Sequence, residues 1–120
     1  MKDLSALDFT AVADEDLDLL YLMTAWRNND RSYLIKRLMR VLARELQRRG
    51  TIAKNRLIHD DSAFSVSDFD VHELTDAIEH FNNCYVIFYF AKHDGAANFC
   101  KNLVDLLLAA YEKNREAGHA

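Results

Sequence analysis

Apolar residues recur along most of this chain at steps of three and four, the spacing that gathers them on one side of an α-helix. The clearest series is Val71, Leu74, Ile78, Phe81, Tyr85 and Phe88. Its period runs unbroken into Cys84–Ala91, a wholly apolar stretch that taken alone reads as a buried strand. Continuity of the period, and the lack of a clear partner strand, favour one long helix. The alternative is an α+β arrangement in which a short strand at about 84–91 pairs with Thr51–His59.

Three other segments carry the same signature. The first, about Asp14 to Arg27, is apolar on nearly all sides, from Leu17 through Leu19, Leu20, Tyr21, Leu22, Met23 and Trp26. Asp14, Glu15, Asp16 and Asp18 crowd its opening turns, where the helix dipole favours anions. The second, about Arg31 to Arg49, sets Ile35, Leu38, Met39, Leu42 and Leu46 on one face. Asp30 is its expected cap, and Gly50 supplies a left-handed stop. The long third helix is expected to start at Ser67, with Asp70 as its box partner and Val66 and Val71 as a hydrophobic staple. The fourth opens after His93-Asp94-Gly95, with Asp94 as cap, and points Ala96, Cys100, Leu103, Leu107 and Tyr111 inward.

With no proline and three glycines in 120 residues, little interrupts these helices. The expectation is an all-α, single-domain four-helix bundle over residues 1–120, with flexible ends at about 1–10 and 116–120. Half the residues are apolar and 28% are charged, which suits a packed soluble domain. The apolar run at 84–91 is too short to span a bilayer, and Met1-Lys2-Asp3-Leu4 does not open a signal peptide. A cytoplasmic protein is expected, with Cys84 and Cys100 as reduced, buried thiols.

Charge changes the picture. The net charge is −4, but it is sorted by segment. Residues 27–56 carry ten Lys/Arg against two Asp/Glu, whereas residues 1–26 carry one against six and residues 57–80 none against seven. On the second helix Arg37, Arg40, Arg44 and Arg48 cluster nearly opposite the apolar face, with Tyr33 beside them. Guanidinium groups in a row can grip carboxylates in a defined orientation.

Motifs of catalysis are weak. No glycine-rich phosphate loop, nucleophile elbow, Cys-x-x-Cys or His-Glu-x-x-His occurs. His72, Asp76 and His80 follow one another at steps of four and could ligate a divalent metal. A bundle-type metal site needs a second ligand-bearing helix, however, and the fourth segment offers only Asp105 in its middle. A polar face turned to water is the simpler account. His59-Asp60-Asp61 is, in the same way, better explained as a polar loop tip than as a hydrolytic pair. No cofactor is expected.

Together these features favour a non-catalytic protein–protein interaction module: an adaptor, inhibitor or immunity-type regulator. Its partner would carry complementary charge and meet Arg37, Arg40, Arg44, Arg48 and Tyr33, or else the acidic stretches. The alternative is a small dimeric nucleic-acid-binding regulator using the same arginines. The acidic total argues against it, since phosphate binding sums over many cations. A second surface lies on the third helix, where Val86, Ile87 and Phe90 flank the main apolar stripe. If the first helix does not cover them, a homodimer or a groove on a partner would.

Overall fold

The computed structural model describes residues 7–27, 32–53 and 64–116. Four helices account for most of them: α1 (Asp14–Arg27), α2 (Tyr33–Arg48), α3 (Val71–Phe90) and α4 (Asp94–Glu116), with a single 3-10 turn at Val66–Asp68 before α3. No strand occurs among the described residues, so the α+β alternative falls. Cys84 to Phe90 is the last part of α3, and the segment proposed to pair with it lies mostly outside the described residues.

Each helix end shows where its orphan backbone groups go. Ser32 begins α2, its Oγ accepting from the Ile35 N–H at 3.2 Å. Asp30, the expected cap, lies outside the described residues. A second cap arrives from another helix: Glu73 Oε1 on α3 accepts from the N–H groups of Tyr33, at 2.6 Å, and Leu34, at 3.1 Å. Three of the first amides of α2 are thus satisfied, two of them by an anion at the positive end of the helix dipole.

At the other end Gly50 adopts φ +83°. Its N–H reaches Gln47 O while Thr51 N–H reaches Leu46 O, both at 3.0 Å, which closes a Schellman turn. Helix α3 ends in the same way, with Lys92 at φ 63° in the left-handed position. Its N–H meets Tyr89 O at 3.1 Å, and His93 N–H meets Phe88 O at 3.0 Å. This turn folds α4 back antiparallel on α3.

The start of α3 departs from expectation. Asp70, not Ser67, is the cap, its Oδ1 accepting from Glu73 N–H at 2.9 Å. Phe69 is the reason. Its ring is buried, and its backbone is extended at φ −101°, ψ 151°, so the helix cannot begin before it. Ser65 instead caps the short 3-10 turn. Asn114, buried near the end of α4, holds this turn in place by donating to Ser67 O at 3.0 Å and Phe69 O at 2.6 Å.

The core gathers one face of every helix. Leu17 and Leu20 come from α1, and Leu34, Ile35, Leu38, Leu42 and Leu46 from α2. Leu74, Phe81 and Phe88 come from α3, and Cys100, Leu103 and Leu107 from α4. Phe64, Val66 and Phe69 close one side. Burying side chains of this size is worth about 1.5–3 kcal/mol each, and the result is an all-α four-helix bundle.

Residues 7–12 are tied to the bundle by named contacts. Phe9 packs its ring 4.7 Å from that of Phe99. Arg49, just past α2, donates to Phe9 O and Val12 O, both at 2.7 Å, and to Asp14 Oδ1 at 2.9 Å. The Ala11 carbonyl lies so close to Gly95 that a Cβ there would run into it. No helix among the described residues is long and apolar enough to cross a membrane.

Candidate functional site

Helix α2 presents the first candidate surface. Between Tyr33 and Arg48 it bears Lys36, Arg37, Arg40, Arg44 and Arg48 against a single carboxylate, Glu45. Burying Leu34, Ile35, Leu38, Leu42 and Leu46 fixes the rotation of the helix, and that rotation carries Arg44 and Arg48 out to solvent. Tyr33 is exposed at the N-terminal end, and Arg40 is half-buried.

The five predicted residues do not behave alike. Arg37 is half-buried and lays its guanidinium 4.3 Å from the centroid of the Phe64 ring and 5.8 Å from that of Tyr33. Cation–π contacts of this kind are worth about 0.5–2 kcal/mol and tie Arg37 to the fold. Arg48 grips Glu45 with two hydrogen bonds, Nε to Oε1 at 2.9 Å and Nη2 to Oε2 at 2.7 Å. Its own side chain nonetheless stays 71% exposed.

Glu45 Oε2 also accepts from Arg49 Nε at 2.9 Å. The Arg48 hydrogen bond first, and then Arg49, hold the Glu45 carboxyl below its usual range against the opposing effect of burial. One carboxylate is therefore shared by two guanidinium groups. Arg49, which sequence patterning did not single out, is the structural member of the arginine set. It has no signature in the chain beyond its place beside Gly50.

The second candidate surface lies where α1 runs antiparallel beside α3. Two side-chain contacts fix the pairing: Thr24 with His80, and Asp16 Oδ1 with His93 Nδ1 at 2.7 Å. Between the helices opens a cleft of 280 Å³ lined by Met23, Trp26, Arg27, His80, Asn83, Cys84 and Ile87. Trp26 stands at its edge, 91% exposed, in a helix that is apolar on nearly all sides. Val86, Ile87 and Phe90, the predicted association residues, are all exposed on the outward side of α3, Phe90 at 76%.

The floor of the cleft is chemically quiet. Thr24 spends its hydroxyl hydrogen on Leu20 O at 2.8 Å, so it accepts from His80 Nε2, 3.0 Å away. Cys84 Sγ lies 3.7 Å from the same nitrogen. Burial first, and then the Arg27 guanidinium, push His80 down to about 4, so the ring is neutral near pH 7. Burial pushes the Cys84 thiol up to about 12 and raises Cys100 as well, with Cys84 as a further cause there. Both remain thiols at neutral pH, and a thiol is a poor nucleophile. The cleft is shaped to take an apolar group.

The three predicted metal ligands are not brought together. His72 is exposed, Asp76 half-buried, and His80 buried against Thr24. Among the described residues no group of three or more His, Cys, Asp or Glu side chains could hold a metal ion. His59-Asp60-Asp61 lies outside the described residues.

Set against protein-family models, curated proteins and solved structures, the chain matches none of them. What fold and surface define is therefore a class: a four-helix bundle with a cationic helix on one side and an exposed apolar face, with its own cleft, formed by α1 and α3.

Proposed function

We propose that the protein is a non-catalytic interaction module, an adaptor or inhibitor, that docks an acidic surface of another protein along α2. The observation that carries this is the charge balance of that helix. Five Lys and Arg residues, against the one carboxylate of Glu45, punctuate this sixteen-residue helix. Arg44 and Arg48 are the outward members, and Tyr33 adds an exposed aromatic at one end.

Arginines on a rigid helix suit carboxylate recognition because the planar fork binds two oxygens and loses little freedom on binding. Charges at such a rim act mainly on association rate and orientation. Arg37, stacked on Phe64, serves to brace the helix and not to reach out. The acidic first turn of α1 and the acidic total discourage nonspecific attachment to polyphosphate, which favours a protein partner over a nucleic acid.

The test is a titration of a fluorescent Glu-rich peptide, with duplex DNA as a parallel arm. Peptide binding should weaken with added salt. Arg44→Glu combined with Arg48→Glu should weaken it by about tenfold or more, the sum of two exposed pairs lost and reversed. Far-UV circular dichroism should stay unchanged. Equal affinity in the reversed variant rejects the α2 face, and tighter binding of the duplex assigns the face to nucleic acid.

A further inference from the structure

We propose that the outward face of α1 and α3 is a two-fold interface with a second copy of this chain, in which Phe90 of each copy fills the α1–α3 cleft of the other. This does not rest on the role given to α2. On α3, Asn83, Ile87 and Phe90 follow one another at steps of four and three and share one face of the helix. Phe90 is a knob at one end of that face, 76% exposed, and the 280 Å³ cleft bounded by Trp26, Asn83 and Ile87 is a hole at the other.

Knob and hole stand seven residues apart, or about 10 Å along the axis. A two-fold axis passing midway, beside Val86 and Ile87, therefore lays two α3 helices antiparallel and seats each Phe90 in the facing cleft. Self-complementarity of this kind is what an isologous interface requires. Met23, Cys84, Ile87 and the neutral His80 ring give a phenyl group an apolar bed, and a ring seated there can also meet the Arg27 guanidinium that lines the cleft.

Area agrees with this occupant. Trp26, Phe90, Leu22, Ile87, Leu19 and Val86 are between 40% and 91% exposed. Taking about 150–250 Å² for a whole aromatic side chain, they present roughly 600 Å² of apolar surface. That is most of the roughly 800 Å² per partner in a standard interface.

Trp26 is the only tryptophan, so its emission reports on this face alone. Sedimentation equilibrium of the wild-type chain should give a dimer, with Trp26 emission moving to shorter wavelength as concentration rises. Phe90→Glu should raise the dimer dissociation constant by about 30-fold or more, as expected for a central anchor. Ile87→Lys should do the same, and both positions are solvent-exposed in the single chain, so helix content should be retained. A wild-type chain that stays monomeric at the highest soluble concentration overturns the proposal. So does a dimer indifferent to both substitutions, or a monomer whose Trp26 is instead covered by an added Leu/Lys amphipathic peptide.

Discussion

His80 should make this protein acid-labile, by an amount that can be worked from its surroundings. The ring is 6% exposed, donates to Thr24 and lies beside the Arg27 guanidinium at the cleft. Its folded-state pKa of about 4 stands below the ordinary 6.5. A histidine depressed in this way binds its proton more readily in the unfolded chain. Its contribution to stability is complete above pH 6.5 and disappears as pH falls toward 4. Between pH 7 and pH 4.5 the linkage amounts to at most about 2.4 kcal/mol. Water reaching the cleft reduces it, so a loss of about 1–2 kcal/mol is expected.

The assay is urea unfolding at both pH values for the wild type and for His80→Leu. Thr24 keeps its bond to Leu20 O in that variant, so no hydroxyl hydrogen is stranded. Carboxylates and the other histidines titrate in both proteins and cancel in the double difference. His80→Leu should flatten the acid slope by about 1–2 kcal/mol. A slope identical in the two proteins would refute the assignment of His80 as a buried, neutral proton donor.

Two further outcomes concern the fold. Glu73→Ala removes the carboxylate that accepts from Tyr33 and Leu34, and should cost about 1–2 kcal/mol in chemical denaturation while raising amide exchange at the start of α2. If exchange there is unchanged, the cap across helices is not a stabilising contact. Arg49→Ala strips two backbone carbonyls and two carboxylates of their donor and should cost about 2–3 kcal/mol, with residues 7–12 losing protection first. A variant in which that segment stays protected would show that the Phe9–Phe99 contact alone suffices.

Much of the bundle was legible because local and tertiary signals agreed. The three-four series from Val71 to Phe88 is helical throughout, and the buried face of α2 contains Ile35, Leu38, Leu42 and Leu46, with Met39 half-buried beside them. The cap of α3 was misplaced because Ser67 and Asp70 are both good caps by composition. Only the burial of Phe69, a tertiary event, decides between them. Helix α1 hid its orientation for a different reason. With leucines on nearly every side, its pattern cannot say that Leu17 and Leu20 go in while Leu22 and Trp26 stay out.

The row of His72, Asp76 and His80 also misled by geometry. Each step of four drifts about 40° around the helix, so eight residues carry His80 about 80° away from His72 and into the groove against α1. Arg37, Arg40, Arg44 and Arg48 all lie within α2, but spacing cannot reveal that Phe64 captures Arg37 or that Glu45 captures Arg48.

The most direct measurement of the central claim is amide chemical-shift mapping of the isotope-labelled protein during addition of the Glu-rich peptide. Docking on the cationic helix predicts shifts concentrated from Tyr33 to Arg48 that fade as salt rises. Shifts confined to α1 and α3, or none at any peptide concentration, would contradict it.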